Sequence, residues 1–317
     1  MSVDPRDPVA ALAAAILGLV LGSFANVCIH RLPLGESVIS PRSRCPGCGS
    51  LIRWHDNIPI VSFILLGARC RSCAAPISWT YPIVEAVMGA GFLTAYLVFG
   101  FSLDAFAAGW LFFACVTLAL IDLRHFLLPD LLTLTGIAGG LGFAAGRGVL
   151  AGAREGFSAA ALLGGFFDEP VLPAASIAGA VAGAGIPLLA RGAYIAMRRW
   201  RGSASVAGGE EPYAGGEAPG AGEEIQSAAV AEGMGMGDVK MLAMVGAFLG
   251  ARMTLVTILI GSVLGCLVVL PWLALSRRGM KTPIPFGPFL AAGTVMALFA
   301  GEPLAAAYGR LIMRLFF

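Results

Sequence analysis

The sequence predicts an all-α polytopic membrane protein with about eight transmembrane helices. Of its 317 residues, 58% are hydrophobic and only 13% are charged, whereas a soluble domain has about 25% charged residues. Apolar stretches recur along the chain, and most are close to the roughly 20 residues that a helix needs to cross a bilayer. The 43 glycines predict helices that pack closely through small residues.

Eight apolar stretches are predicted to span the membrane. They are residues 9–28, 83–101, 104–121, 131–149, 174–197, 238–251, 254–275 and 287–301. The sixth and the eighth are short for a complete span. An outer loop is expected at 150–173, between the fourth and fifth spans.

The alternation of these spans fixes which connecting segments share a side of the membrane. Segments 29–82, 122–130, 198–237 and 276–286 fall on one side and carry most of the arginines and lysines. The positive-inside rule makes that side cytosolic. Asp122 ends the third span and Asp238 begins the sixth, so both are predicted at the cytosolic membrane surface.

Composition and spans together divide the chain into five segments. Residues 201–232 contain six glutamates among many glycines and alanines, which predicts a flexible linker that buries too little apolar surface to fold. The five segments are a first transmembrane helix at 1–28, a cytosolic domain at 29–82, transmembrane helices at 83–200, the cytosolic linker at 201–232, and transmembrane helices at 233–317.

Two C-x-x-C pairs lie in the cytosolic domain, Cys45 with Cys48 and Cys70 with Cys73. Four thiolates can enclose one tetrahedral zinc ion and leave no open position, which is typical of a structural site. Two disulfides or a redox motif are the alternatives, but stable disulfides are rare in the cytosol. The sequence therefore predicts a small cytosolic zinc-binding loop domain beside the transmembrane helices.

Asp238 lies in the run Gly233-Met-Gly-Met-Gly-Asp-Val-Lys240, at the start of an apolar stretch. A simple helix N-cap would explain this aspartate. A second acid, Asp122, occupies a matching place at a span end, and ionisable groups at membrane spans are functional candidates. Gly235 and Gly237 would let a substrate backbone or a partner helix approach. Two facing aspartates would form an aspartic-protease dyad.

Several motifs, in order along nearly the whole chain, resemble those of the type 4 prepilin peptidases, which are prepilin leader peptidase/N-methyltransferases. The motifs are Gly22-Ser-Phe-Ala-Asn-Val-Cys-Ile-His-Arg-Leu-Pro33, the two cysteine pairs, Asn57-Ile-Pro59, Tyr81-Pro-Ile-Val-Glu85, Ile121-Asp122 through Leu128-Pro-Asp130, 233–250, and Ile284-Pro-Phe-Gly-Pro288. The segments at 150–173 and 201–232 are longer than this family leads us to expect.

The resemblance implies an enzyme with two activities, at the cytosolic face of a bacterial inner membrane. It implies cleavage of the leader of prepilins or pseudopilins of type IV pilus and type II secretion systems. It also implies methylation of the new N-terminus with S-adenosylmethionine. Asp122 and Asp238 would be the catalytic aspartates, and the four cysteines would hold zinc. Prepilins and membrane lipid are the expected partners, and nucleic acid is not; the oligomeric state stays open.

Two carboxylates that share a proton can activate water and protonate the leaving amine. Lys240 follows closely and would either favour the charged form of Asp238 or serve as an interfacial anchor. The turn at 283–288 is expected to shape the mouth of the same site. No dinucleotide-type glycine fingerprint is present, so the methyl-donor site is unknown. Asn26, Glu85 and the Gly22-Ser23 pair could contribute to it or could serve helix packing.

Three other functions fit parts of the sequence. A signal-peptide-peptidase-like intramembrane protease would share the dyad but has no reason to carry four cysteines. A proton-coupled transporter would favour acids near mid-membrane and an internal repeat, and neither is evident. The third alternative is a zinc-bearing assembly scaffold.

Overall fold

The computed structural model describes residues 7–150, 173–206, 235–276 and 284–316, and its regular structure there is helical apart from two isolated β-bridges. This confirms the all-α prediction. The helices are α1 (Pro8–Arg31), α2 (Val61–Leu65), α3 (Thr80–Phe99), α4 (Leu103–His125), α5 (Asp130–Leu150), α6 (Pro173–Val206), α7 (Met236–Ser276) and α8 (Gly287–Phe316). Short 3-10 turns occur at Leu32–Leu34 and Trp54–Asn57.

Helix α4 is central to the bundle. It contacts α1, α3, α5, α7 and α8, and its side chains Leu111, Phe113, Leu118 and Ile121 are almost completely buried. Helix α7 forms a second centre, because it contacts α5, α6 and α8 in addition to α4. Residues near the ends of α4 and α7 therefore lie at the junction of most of the helices.

Glycines let two pairs of helices approach backbone to backbone, as the composition predicts. A Cβ atom on Gly18 or Gly22 of α1 would lie 2.5 Å from the Met88 carbonyl oxygen or 2.6 Å from the Glu85 Cα of α3. On α6, Gly179 and Gly183 meet backbone atoms of α7 just as closely. Both glycine pairs have the four-residue spacing that places small residues on one helix face.

Helix α7 is broken at Gly250. Its 41 residues would extend about 60 Å if straight, roughly twice the hydrocarbon thickness of a bilayer. Gly250 has φ 79° and ψ 172°, which no helical residue adopts, and the Thr254 hydroxyl donates to the Gly250 carbonyl at 2.8 Å. The break falls at the end of the predicted span 238–251, where a short connection to the next span was expected.

Five of the described helices are long and apolar enough to cross a membrane by length and composition. They are Pro8–Leu34, Thr80–Phe99, Leu103–His125, Pro173–Met197 and Met236–Ser276. The predicted span 131–149 lies in α5, which is not among them, and 287–301 corresponds to a shorter apolar helix, Gly287–Gly301. The number eight thus stays a prediction; it requires α7 to count twice and α5 and α8 to cross as well.

The outer surface of the bundle is apolar, as expected of helices in lipid. Leu12, Ile16 and Val20 lie along one face of α1, and each exposes half or more of its surface. Such a stripe would be unfavourable in water because of the apolar area it exposes.

The two long insertions fall largely outside the described residues. Residues 151–172 of the predicted outer loop and 207–232 of the predicted linker are not described. Helix α6 continues to Val206, so the first six residues assigned to the linker are helical.

Candidate active site and cysteine cluster

Asp122 lies in the last turn of α4, close to the helix end. The helix stops because Phe126 adopts a left-handed conformation, with φ 51°, and its N–H donates to the Asp122 carbonyl at 3.0 Å. The Asp122 residue is only 6% exposed. A helix C-terminus carries partial negative charge, so its own helix does not stabilise this carboxylate.

The start of α8 supplies Asp122 with a hydrogen-bond donor and a positive helix end, which α4 does not provide. The Gly287 N–H, at the first residue of α8, donates to Asp122 Oδ2 at 3.0 Å. This N–H has no partner within its own helix, and the positive end of the α8 dipole faces the carboxylate. A Cβ atom on residue 287 would lie 2.6 Å from Asp122 Oδ2. The contact therefore requires glycine at position 287. Part of the predicted turn at 283–288 thus holds the Asp122 carboxylate.

Asp238 lies in the first turn of α7, two residues after the helix begins at Met236. It is therefore inside the helix, and the alternative that it is the N-cap residue is wrong. Helices α4 and α7 contact each other, and the Asp122 carboxylate is close enough to act electrostatically on Asp238. The two acids that the sequence paired therefore lie near the ends of two helices that contact each other, within electrostatic range.

The two glycines of the motif differ in environment. A Cβ atom on Gly237 would lie 2.8 Å from the Leu128 Cβ, whereas one on Gly235 would meet nothing closer than 3.9 Å. Gly237 is helical, so it serves close packing against the segment that follows α4. Gly235 leaves open space beside the Asp238 Oδ2, which suits the approach of a substrate backbone.

Lys240 has a partner that the sequence reasoning did not identify. Its Nζ lies 2.6 Å from Asp130 Oδ1, at the first residue of α5. The idea that Lys240 favours the charged form of Asp238 therefore loses its support. Together with the Leu128–Gly237 contact, this ion pair ties the segment after Asp122 to the segment around Asp238.

The four predicted zinc ligands come together. The Sγ atoms of Cys45, Cys48, Cys70 and Cys73 all lie within 4.8 Å of one another, and those of Cys45 and Cys73 are 3.8 Å apart. Zinc–sulfur bonds of about 2.3 Å in a tetrahedron give sulfur separations of about 3.8 Å. The cluster can therefore hold a metal ion, and its donor set suits zinc.

The two cysteine pairs have the same backbone fold. In the first, Cys45 N–H donates to the Ser50 carbonyl at 2.9 Å; in the second, Cys70 N–H donates to the Ala75 carbonyl at 2.8 Å. The residue four positions after the first cysteine is left-handed in both, Gly49 with φ 68° and Ala74 with φ 55°. Each turn thus presents its two thiols from one side.

The hydrogen bonds of the cluster favour the thiolate form, which binds metal, at two of its cysteines, Cys48 and Cys70. Ser50 hydrogen-bonds the Cys48 thiol at 2.9 Å and lowers its pKa to about 6. Backbone N–H groups of Cys73 and Ser72 lower the pKa of Cys70. The Ala75 N–H lowers the pKa of Cys73, but hydrogen bonds with the other cysteines raise it to about 12. Four thiolates at this distance repel one another, and a divalent cation would remove that repulsion.

The polar residues near the cysteine loop have structural partners. Glu85 Oε2 accepts from the Ile60 N–H at 2.8 Å, and Asn26 Nδ2 donates to the Tyr81 carbonyl at 3.2 Å. Gly22 packs on the Glu85 backbone. These contacts favour the packing alternative over a methyl-donor site.

A helical membrane protein that buries one aspartate within electrostatic range of a second and also carries a four-cysteine cluster has the characteristics of a membrane-embedded aspartic peptidase. Comparison with known proteins gives the family. Residues 109–270 match the type IV leader peptidase family, and residues 16–99 match the bacterial peptidase A24 N-terminal domain. The chain belongs to the type IV leader peptidase family and is a multi-pass inner-membrane protein.

Three curated relatives that resemble this chain are each named prepilin leader peptidase/N-methyltransferase. That of Stutzerimonas stutzeri is 31% identical over 94% of this chain and 93% of its own length. That of Burkholderia pseudomallei (strain K96243) is 32% identical over 92% and 85%. The Myxococcus xanthus protein is 44% identical, but over 47% of each chain. No solved structure matches.

Proposed function

We propose that this protein cleaves the leader peptide of type 4 prepilins or pseudopilins and then methylates the new N-terminal amine. The observation that carries the proposal is the Asp122–Asp238 arrangement, with Asp122 buried and held by the Gly287 N–H at 3.0 Å. Family membership and the names of the relatives support the substrate class and the second activity.

The proposed peptidase reaction uses water and the two carboxylates alone. Two acids at close range do not both ionise readily, so one can take a proton from water while the other donates to the scissile carbonyl oxygen. The Gly287 N–H fixes the orientation of Asp122 and offsets the negative end of α4. The open space at Gly235 admits the substrate backbone next to Asp238. No acyl-enzyme intermediate is needed.

The proposed metal is one structural zinc ion. Cys45, Cys48, Cys70 and Cys73 would hold it and keep the two turns of the loop together. The supporting observation is the separation of the sulfurs, all within 4.8 Å. A closed set of four sulfurs leaves no position for a reacting water, so the zinc would shape the loop and take no part in hydrolysis.

The methyl donor is proposed to be S-adenosylmethionine, as the family resemblance implies. We assign no residues to its site. The active site is proposed to face the cytosol, because the segments that share its side carry most of the basic residues.

The test is cleavage of a purified prepilin by the reconstituted protein and its Asp122→Asn and Asp238→Asn variants. Each variant keeps the side-chain size but cannot share a proton in the dyad, so each should lose at least about 10³-fold in rate. Zinc content and thermal stability in detergent should stay close to those of the parent protein.

Asp104→Asn is the matched control, because Asp104 lies in the same helix about 27 Å away and pairs with Arg147 at 3.4 Å. It should cleave at nearly the parental rate. Substantial cleavage by either dyad variant would remove that aspartate from the mechanism. A cleaved but unmethylated product in the presence of S-adenosylmethionine would favour the signal-peptide-peptidase-like alternative.

A further inference from the structure

The segment from Ile58 to Leu65, between the two cysteine pairs, has an inverted distribution of polar and apolar side chains. Its buried residue is Ser62, at 6% exposure, whereas Ile64 and Leu65 are 68% and 79% exposed. Ile58 and Val61 are also exposed. The Ser62 hydroxyl donates to the His55 carbonyl and accepts from the Ile58 N–H. A water-facing helix would have the opposite distribution.

The segment is fastened to α3 close to where that helix enters the membrane. The Ile60 N–H donates to Glu85 Oε2 at 2.8 Å. Glu85 lies about 7.5 Å along the helix axis from the first residue of α3, and its Cα–Cβ bond tilts back towards the helix start. Phe63 also packs edge-on against Trp79, with ring centroids 4.8 Å apart. The exposed apolar face is therefore held at the level of the membrane surface.

The surroundings of the segment are those of a membrane interface. Trp54 and Trp79 are 74% and 68% exposed, and tryptophan is enriched where lipid headgroups meet acyl chains. Arg53 and Arg69 are exposed on either side of the segment, and basic residues near the membrane are attracted by anionic lipid. Ile83, in the first turn of α3, is also 56% exposed, so this end of α3 carries exposed apolar surface as well.

We propose that residues 58–65 insert into the bilayer interface, with Ile58, Val61, Ile64 and Leu65 in contact with lipid acyl chains. Glu85 accepts from the Ile60 N–H, which this insertion would otherwise leave without a partner in an apolar environment. The cysteine cluster is thereby held against the membrane by lipid as well as by its own chain. The occupant of the apolar face is lipid and not the apolar helix of a substrate, because exposed tryptophans and arginines, which favour the lipid headgroup region, surround the face.

The experiment places a photoreactive p-benzoylphenylalanine at Leu65, and separately at Ile64, in protein reconstituted in vesicles of neutral and anionic phospholipid. Ser72 is the control position, since it is exposed in the same loop but lies between two cysteines. Illumination and mass spectrometry count lipid adducts. An interfacial residue should give at least about tenfold more adducts than Ser72. Zinc content verifies that each labelled protein is folded.

Two results would overturn the proposal. One is a yield of lipid adducts at both Ile64 and Leu65 no higher than at Ser72. The other is loss of these adducts when a prepilin is added, with crosslinks to the prepilin in their place, since this would make the face a substrate-docking site. Neither result depends on catalysis, so the outcome is separate from that of the cleavage assay.

The same crosslinking experiment, carried out on two Glu85 variants, tests whether Glu85 holds the segment at the interface. Glu85→Gln keeps an oxygen that accepts from Ile60, and it should leave the adduct yield at Leu65 unchanged. Glu85→Leu removes the acceptor and should lower the yield at least about threefold, because the freed N–H then seeks water. Equal yields in the two variants would show that Glu85 does not hold the segment at the interface.

Discussion

The aspartate pair and the cysteine cluster are assembled in opposite ways. The cluster is built from two short turns with the same hydrogen bonds, one around Cys45 and one around Cys70. The aspartate site is built from helix ends that are far apart in the chain, with Asp122, Asp238 and Gly287 on three different helices. Local turns thus preorganise the sulfurs, whereas the positions of the carboxylates depend on how the whole bundle packs.

The largest expected effect is a loss of zinc from the cysteine cluster that leaves peptide hydrolysis at the aspartate site nearly unchanged. The double variant Cys70→Ser/Cys73→Ser should lower the zinc content from about one ion per chain to nearly none. Because the aspartates stand on other helices, hydrolysis of a short, saturating peptide should change little, while prepilin docking and methyl transfer fall more. Metal analysis and the two activity assays measure this. Full zinc content in the variant would show that the four cysteines do not share a metal, and equal loss of all activities would make the loop integral to hydrolysis.

The second prediction perturbs the aspartate site without changing an acid. Gly287→Ala would place a Cβ atom 2.6 Å from Asp122 Oδ2 and force the carboxylate to move. A displacement of this size should lower kcat about 10- to 100-fold, with a smaller change in KM. Gly142→Ala on α5 is the matched control, since a Cβ atom there meets nothing within 4 Å. If both variants cleave at the parental rate, the Gly287 contact has no part in positioning Asp122.

The third prediction concerns the Lys240–Asp130 ion pair. An exposed pair contributes less than about 1 kcal/mol, so Lys240→Ala and Asp130→Ala should each lower kcat at most about fivefold. The charge-reversed double variant Asp130→Lys/Lys240→Asp should recover most of that loss. A much larger loss for Lys240→Ala than for Asp130→Ala would mean that Lys240 acts on Asp238 directly, as the sequence suggested.

The smallest expected effect distinguishes the two otherwise equivalent turns. Ala74 has φ 55° where the first turn has Gly49 with φ 68°, and a left-handed conformation costs an L-residue about 1–2 kcal/mol. Ala74→Gly should therefore stabilise the loop by a few tenths of a kcal/mol up to about 1 kcal/mol, after the larger backbone entropy of glycine is subtracted. Slower proteolysis of the 40–80 loop and slower zinc loss to a chelator would show it.

Gly49→Ala is the reciprocal change and should have the opposite sign. No heavy atom lies within 4 Å of a Cβ built there, so only the backbone conformation is tested. Faster zinc loss in Ala74→Gly than in the parent protein would contradict the assignment of strain to Ala74.

Much of the architecture could be predicted because it depends on composition and local pattern. Runs of apolar residues predicted the helices, and each predicted span lies in one of them except the last two residues of 83–101. The C-x-x-C spacing predicted the cluster, since each turn is only a few residues long. The number of crossings could not be confirmed, because α5 and α8 are at the limit of length or hydropathy.

The aspartate pair itself followed from the sequence in a limited sense. The alternation of spans placed Asp122 and Asp238 at one membrane surface, but alternation gives depth and not lateral position. Their proximity is a result of the packing of α4 against α7. The close approach expected at the two motif glycines occurs at Gly237, where the partner is Leu128 of the segment after α4.

Only the tertiary structure decided the partners of the polar groups. The Gly287 N–H meets Asp122, Lys240 meets Asp130, and Glu85 meets the Ile60 N–H. In each case the two residues are at least 25 positions apart along the chain, so no periodicity or motif links them. Hydrophobic patterning specifies which face of a helix is buried, but it leaves the neighbouring helix unspecified. Which donor meets which carboxylate is set by the close packing of glycines and by the few positions where helix ends coincide.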